Sequence, residues 1–256
     1  MDDLQARSCG WNRLSSLFLV CFFLGTMGDL APSCTSKTSI PPKIMIWAWE
    51  RPENLQFIDS SHTGVAYLAG TLFLSGDLAR YRPRMQPLSV PAGTYVLPVV
   101  RIETDRYALP ILSMQQRQES ASILLKAVGE NGLQVDFDAT VSQQDFYGAL
   151  LGQVRSGMSA GKILSVTTLA SRCWGQRWAA HLPVDELVVM SFRLGPQAAY
   201  FKKRLAEGQP DNWIGPKLSL GISLDEPISF VANASKRVYL FKPALWNKAD
   251  QRLLLR

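Results

Sequence analysis

The sequence predicts an α/β protein, a (β/α)8 barrel of the TIM type that is irregular after its second strand. Short runs rich in β-branched or aromatic residues recur about every 30 residues, which is the length of one βαβ step. Several runs, such as YVLPVV and LVVMSF, are apolar throughout, as parallel strands covered on both faces are. Segments with helical spacing fill several of the gaps. Eight such strands with intervening helices favour a closed barrel.

Eight segments have the composition of strands and together predict one barrel domain over residues 43–256. In chain order they are Lys43–Trp49, Gly64–Leu74, Tyr95–Glu103, Leu133–Asp138, Ile163–Leu169, Leu187–Arg193, Leu218–Ser223 and Arg237–Lys242.

Three segments between these strands have helical spacing. Ser113–Gly129 and Ser142–Met158 repeat apolar residues every three or four positions, and the second opens on a residue that favours helix N-termini. Ala198–Glu207 is shorter, and Gly208 and Pro210 follow it as helix-terminating residues.

The irregularity is predicted from the segment between the second and third strands. Residues 75–93 contain three prolines and the alternating arginines Arg80, Arg82 and Arg84, which do not suit a helix. We expect this segment to form an antiparallel partner of the second strand, with a turn at Ser75-Gly76-Asp77.

The N-terminal segment has the pattern of a secretory signal peptide over residues 1–33. Arg7 and Arg13 precede the apolar core Leu17–Leu24, which is too short to span a bilayer comfortably. The alternative is a buried core helix or strand. Ala31-Pro32-Ser33 before Cys34 resembles a lipoprotein cleavage box, which makes Cys34 a candidate lipidation site and residues 34–42 a linker. The expected location is therefore secreted, periplasmic or envelope-anchored, with membrane contact only through an N-terminal lipid.

Composition argues against several classes of protein. The formal net charge is +6 but contains no block of Lys or Arg, so we expect no nucleic-acid partner. The four cysteines include no CxxC pair, and there are only two histidines, so we predict neither a metal site nor a bound cofactor. We expect a monomer.

Polar and aromatic side chains gather at the predicted C-terminal ends of the strands, where barrels of this type place their active sites. Carboxylates and arginines can hydrogen-bond sugar hydroxyl groups, and tryptophan rings can stack on the apolar face of a sugar. The sequence therefore predicts a carbohydrate ligand. The candidate residues are Trp49, Glu50, Arg101, Glu103, Asp136, Asp138, Trp174 and Arg193.

Asp136 and Asp138 are the most specific of these candidates. Residues i and i+2 of a strand point to the same side, and two nearby carboxylates raise the pKa of one of them. That arrangement suits glycoside cleavage, with Asp138 as the general acid and Asp136 setting its pKa. Glu103 or Glu50 would be the second carboxylate, and Trp49 and Trp174 would be sugar platforms.

Each assignment has a structural alternative. Asp138 would instead cap the following helix, Glu103 would form an ion pair with Arg101 at the rim, and the tryptophans would only pack loops.

Several blocks resemble the bacterial family called domain of unknown function 3142, over about residues 46–195. They are IWAWERPENLQFI, GVAYLAGTLFL, VVRIE, GLQVDFDAT, FYGALLGQVR, LSVTTLASRCW and LPVDELVVMSFRLG. The resemblance implies a secreted or envelope barrel of glycosidase type and no established activity.

The segment Asn131–Asp138 is also similar to the fourth-strand motif D-G-x-D-x-D-x-E of chitinase-type glycosidases. Asp136 matches that motif, whereas Asp138 stands in place of the acid glutamate and Gln134 in place of an aspartate. Likewise Met190-Ser191-Phe192-Arg193 is similar to the sixth-strand motif M-x-Y-D, with Arg193 replacing the acid. These departures indicate a rebuilt site.

Two hypotheses follow for the function. The first is a secreted glycoside hydrolase acting on a polysaccharide or oligosaccharide. The second is a non-catalytic carbohydrate-binding barrel in which Arg101 and Arg193 neutralise the acids and bind an anionic glycan, which a net charge of +7 after loss of residues 1–33 would favour. A metal-dependent sugar transferase using Asp136-Phe137-Asp138 is less well supported, since no glycine-rich phosphate loop is present.

Overall fold

A computed structural model describes residues 41–170, 177–200, 203, 218–226 and 237–254. All of them belong to one unit, Lys37–Arg256. The predicted signal peptide, Cys34, Trp174 and most of the predicted helix Ala198–Glu207 lie outside the described residues.

The described residues form eleven strands. They are β1 (Ile44–Ala48), β2 (Glu53–Asn54), β3 (Thr63–Ser75), β4 (Leu78–Pro83), β5 (Leu88–Ser89), β6 (Val96–Thr104), β7 (Gly132–Asp136), β8 (Ile163–Leu169), β9 (Glu186–Met190), β10 (Leu218–Ser223) and β11 (Val238–Phe241).

Eight of these strands close into a parallel ring in the order β1, β3, β6, β7, β8, β9, β10 and β11. The ring is closed because β1 pairs in parallel with both β3 and β11. Each predicted strand corresponds to one member of this ring, so the predicted (β/α)8 barrel is confirmed.

Two predicted strands end two or more residues earlier than expected, and both endings affect the C-terminal end of the barrel. The sixth predicted strand ends at Met190 rather than Arg193, because Arg193 has a φ of 54°, which a strand does not accommodate. The fourth ends at Asp136, so Asp138 lies in the loop beyond it.

The predicted hairpin after the second ring strand is present. β4 pairs antiparallel with the upper half of β3, from Gly70 opposite Pro83 to Ser75 opposite Leu78. Gly76 in the turn has a φ of 53°, a conformation in which glycine is favoured. The hairpin occupies the place where a regular barrel would have a helix, and the small parallel sheet β2–β5 lies in the adjoining loops.

The helices are α1 (Met114–Lys126), α2 (Gln144–Gly157) and α3 (Gln251–Leu254). Ser113 caps α1 by accepting a hydrogen bond from the backbone N–H of Gln116. A 3-10 turn precedes α2, and its N-cap residue is Thr140, whose N–H donates to Gln143 at 2.9 Å. Thr140 therefore holds the capping position that was one alternative for Asp138. Within the described residues, no helix has the length and apolarity needed to cross a bilayer.

Apolar side chains pack on both faces of the ring. Outside it, α1 and α2 bury leucines such as Leu124 and Leu150 against the outer face of β7 and β8. Inside it, a second cluster fills the barrel. The strands are thus buried on both faces, which explains their uniformly apolar sequences. Members of the inner cluster are Met45, Trp47, Ala66, Tyr95, Leu97, Val99, Val188, Phe192 and Tyr239.

Trp47 occupies the middle of this interior. Its indole N–H donates to Oε1 of Gln134 at 2.8 Å, and Gln134 donates in turn to Ser165 at 3.0 Å. The Trp47 ring packs 5.1 Å from the Tyr239 ring. Opposite Trp47, a Cβ atom on Gly221 would lie only 2.7 Å from the Cη2 atom of the indole. The absence of a side chain at Gly221 therefore makes room for the indole.

Below Trp47, an ionic network fills the N-terminal end of the barrel. The buried Glu186 carboxylate accepts hydrogen bonds from Arg237 at 2.8 Å, Tyr239 at 2.8 Å and Ser219 at 2.6 Å. A buried carboxylate is tolerated when its lone pairs are satisfied in this way. These bonded side chains lie at the N-terminal end of the ring, opposite the end where the strands finish.

Gly221→Ala is expected to lower the free energy of unfolding by about 1–3 kcal/mol, because the added methyl group overlaps the Trp47 indole. Chemical denaturation followed by far-UV circular dichroism measures the change. Gly152→Ala is the matched control, since a Cβ atom there meets nothing within 4 Å and alanine favours the helix. A Gly221→Ala protein as stable as the Gly152→Ala protein would contradict this account of the interior.

Candidate functional site

The C-terminal ends of the ring strands surround a cavity of about 380 Å³, here called the mouth. The Trp47 indole forms the floor of the mouth. The lining residues are Trp47, Trp49, Arg101, Asp136, Asp138, Thr167, Leu169, Met190, Phe192, Arg193 and Phe241. Five of the predicted site residues, Trp49, Arg101, Asp136, Asp138 and Arg193, are among them.

Asp136 and Asp138 both line the mouth, although Asp138 lies in the loop after β7 and not on the strand as predicted. They differ in environment. The Asp136 side chain is only 13% exposed, and its Oδ1 accepts a hydrogen bond from the Thr167 hydroxyl group. Asp138, two residues further out, is exposed.

This difference in environment separates the chemistry of the two carboxyl groups. Burial raises the pKa of Asp136 from 3.8 to about 6, and the negative charges of Asp138 and Glu103 act in the same direction. The hydrogen bond from Thr167 and the charge of Arg101 oppose the rise. Asp136 is therefore a carboxyl group that can carry a proton in mildly acidic solution.

Arg101 connects two carboxylates at the edge of the mouth. Its Nε atom lies 3.1 Å from Oε1 of Glu103 and 3.9 Å from Oδ2 of Asp136. Because both oxygens approach the same nitrogen, they are separated by at most about 7 Å, which is below the upper limit of roughly 9.5 Å for glycosidase carboxyl pairs. Arg101, Glu103, Asp136 and Asp138 also line an adjoining cavity of about 220 Å³.

Aromatic side chains form the other wall of the mouth. In an eight-membered ring, β11 is four positions from β7, so Phe241 lies across the barrel from Asp136. The Phe241 and Phe192 rings stack with their centroids 5.5 Å apart and their planes at 4°. The guanidinium carbon of Arg193 lies 5.6 Å from the Phe241 ring centroid.

Under the second hypothesis, Arg193 would neutralise the negative charges of the acids in the mouth. Among the ion pairs of the described residues, none joins Arg193 to Asp136 or Asp138, and the cation within reach of Asp136 is Arg101. The turn in the backbone after Met190 directs Arg193 towards Phe241 instead.

Glu50 lies outside the mouth. Its carboxylate forms an ion pair with Arg82 at 3.0 Å, and both residues line a separate cavity beside the β3–β4 hairpin. The β1 strand ends at Ala48, and the chain beyond it takes Trp49 into the mouth and Glu50 away from it.

The rim around Trp49 is held by two arginines that sequence reasoning did not identify. Arg84 donates hydrogen bonds to the carbonyl groups of Trp49 and Arg51. Arg51 donates in turn to the carbonyl groups of Lys242 and Pro243, just after Phe241. The loops that carry Trp49 and Phe241 are thus joined through side-chain bonds to backbone.

Sequence reasoning also missed six lining residues, which are Trp47, Thr167, Leu169, Met190, Phe192 and Phe241. A signal for some of them exists, because alternate residues of a barrel strand face the interior. Asp136 pairs with Thr167 on β8, so this rule predicts that the Thr167 side chain also faces the interior. The rule does not distinguish a floor residue such as Trp47 from a deeper core residue.

Two solved structures are similar in fold to this chain. The Bacillus cereus spore cortex-lytic enzyme SleL matches 85% of this chain and 75% of its own, with a TM-score of 0.55 and 14% sequence identity. A GH113 beta-1,4-mannanase matches 83% of this chain and 92% of its own, with a TM-score of 0.44 and 9% identity. No family model and no curated protein matches the chain. The likeness to SleL shows the barrel fold, and the resemblance to domain of unknown function 3142 stays a prediction.

The raised pKa of Asp136 predicts how stability depends on pH. Since the pKa is about 6 in the folded protein against an ordinary 3.8, the folded state binds more protons between these values. The contribution of Asp136 to the free energy of unfolding therefore falls as the pH rises from 4 to 7, by roughly 2–3 kcal/mol.

Asp136→Asn removes this dependence, so the variant should gain stability relative to the wild type across that pH range. Urea denaturation at several pH values measures the gain, and the exposed Glu130→Gln substitution is the control. A stability difference between Asp136→Asn and wild type that stays constant with pH would contradict the raised pKa.

Proposed function

We propose that this protein is a glycoside hydrolase acting on a polysaccharide or oligosaccharide, with Asp136 as its general acid. The observation that carries the proposal is a partly buried carboxyl group with a pKa of about 6 at the base of an open, aromatic-lined mouth. A second carboxylate, Glu103, lies close to it, because both approach the Nε atom of Arg101. Such a pair of acids in different environments is what glycoside cleavage requires.

In the proposed reaction, protonated Asp136 donates its proton to the glycosidic oxygen as the bond from that oxygen to the anomeric carbon breaks. Glu103 or Asp138 provides the second carboxylate, either by attacking the anomeric carbon or by removing a proton from the attacking water. The products are two sugar chains with the elements of water added across the cleaved bond. This assignment exchanges the roles predicted for Asp136 and Asp138, because Asp136 is the buried member.

Positioning of the sugar falls to the aromatic side of the mouth. Trp49 is partly exposed at the rim and is the candidate sugar platform. Arg101 and Arg193 are candidate donors to sugar oxygens. We further propose secretion through residues 1–33, on the composition of that segment, with Cys34 as a lipid attachment site.

The similar fold of SleL, a lytic enzyme, is compatible with a degradative role.

One observation favours the second candidate, a non-catalytic carbohydrate-binding barrel. Arg101 lies within 4 Å of both Glu103 and Asp136, and its positive charge acts to lower the pKa of Asp136. If sugar binding leaves Asp136 ionised, the site holds the sugar without donating a proton.

Asp136→Asn tests the assignment of the acid. Removing a general acid costs about 10²–10⁴-fold in rate, so we expect turnover to fall by that factor while glycan binding persists. The measurement is reducing-sugar release from a panel of polysaccharides by the wild type, Asp136→Asn, Asp138→Asn and the remote control Glu130→Gln. Hydrolysis undiminished in Asp136→Asn would exclude Asp136 as the acid.

The pH profile of the same reaction is a second test. If Asp136 must be protonated, kcat/KM should fall as the pH rises above about 6. A rate that instead rises through that range would contradict the proposal, and binding without release of sugar from any glycan would favour the non-catalytic barrel.

A further inference from the structure

Arg193 is held in an uncommon backbone conformation at the rim of the mouth. Its φ of 54° is rare for a residue with a side chain, and within the described residues only Leu112 among non-glycines shares a positive φ. The Arg193 N–H donates to both carboxylate oxygens of Glu226, at 3.1 and 3.3 Å. Strained conformations that the surroundings maintain are concentrated at functional sites. The hydrogen bonds to Glu226 therefore hold the backbone from which the Arg193 side chain projects.

The guanidinium group of Arg193 lies against an aromatic stack. Its central carbon is 5.6 Å from the Phe241 centroid, and Phe241 itself stacks on Phe192. Contact through the face of a guanidinium leaves the in-plane N–H groups directed outward, where they match a planar or tetrahedral anion. The side chain is exposed and lines the mouth.

The two arginines of the mouth differ in the charge that surrounds them. Arg101 lies 3.1 Å from Glu103 and 3.9 Å from Asp136, so carboxylates of the protein compensate its charge. Arg193 lies with Phe241 on the opposite wall. The Glu226 carboxylate binds its backbone N–H, and among the ion pairs of the described residues none involves its guanidinium group. The mouth thus has an acidic wall at β6 and β7 and a cationic position across from it.

We propose that Arg193 forms a subsite for an anionic sugar, so that the ligand of this barrel is a polysaccharide bearing carboxylate or sulfate groups. The anionic group binds the in-plane donors of Arg193, and the glycosidic bond then lies towards Asp136 on the opposite wall. This inference rests on the proposed function, because it names the class of polymer that the same site would hydrolyse. The binding itself does not require that the bond is cleaved.

Affinity electrophoresis tests the subsite in the full chain carrying Asp136→Asn, which prevents loss of the polymer by cleavage. Native gels contain polygalacturonate, dextran sulfate or neutral dextran. We expect retardation by an anionic polymer and none by dextran, and stronger retardation by one of the two anionic gels identifies carboxylate or sulfate as the preferred group. Absence of retardation in both anionic gels would overturn the proposal.

Substitutions at Arg193 separate a built subsite from general attraction by net charge. Arg193→Gln should weaken binding of the anionic polymer by roughly tenfold to a hundredfold, the range expected for loss of a charged hydrogen bond. Arg193→Gly should weaken it equally while relieving the positive φ, and Arg193→Lys should retain part of it. Arg80→Gln, an exposed residue of β4, changes the net charge identically and should leave binding as in the parent. Equal weakening by Arg80→Gln would overturn the proposal.

The anionic subsite and the hydrolase activity can be rejected separately. Binding of an anionic polymer that depends on Arg193, with no turnover by the wild type, keeps the subsite and rejects hydrolysis. Hydrolysis of neutral glycans, with binding unaffected by Arg193→Gln, rejects the subsite and keeps the hydrolase.

Discussion

The packing of Trp47 against Gly221 inside the barrel is the constraint on which the mouth depends. The indole fills the centre of the ring, and a single methyl group on the facing strand would overlap it. Its N–H must also be satisfied in the interior, and Gln134 provides the acceptor. The floor is thus fixed by packing and by a hydrogen bond, and the mouth opens above it.

That interior also explains a departure from the chitinase-type motif. Gln134 stands where the motif has an aspartate, and its amide accepts from Trp47 and donates to Ser165. A carboxylate could accept from Trp47 but could not donate to Ser165, and its charge would be buried among apolar residues. The substitution therefore fits the interior of this particular barrel, and it leaves Asp136 as the innermost acid of the strand.

The two sides of the mouth differ in burial and in charge. Asp136 is raised in pKa mainly because water is excluded around it, whereas Glu103 and Asp138 lie nearer solvent. The positive charge of Arg101 lowers the pKa of Asp136 and so partly offsets the effect of burial. The aromatic half has no carboxylate in the lining, and it carries a cation over Phe241. A ligand spanning the mouth therefore meets a proton donor at one side and a positive charge at the other.

The sequence by itself determined the barrel, its eight strands and the hairpin that replaces a helix. These features follow from local patterns, because hydrophobic runs, turn residues and the alternation of a strand are properties of neighbours in the chain. Only the tertiary structure decided which acid is buried, that Glu50 turns away to Arg82, and that Arg193 faces Phe241. Those outcomes depend on residues about 30 or more positions apart and on a backbone reversal at one residue, so no local pattern encodes them.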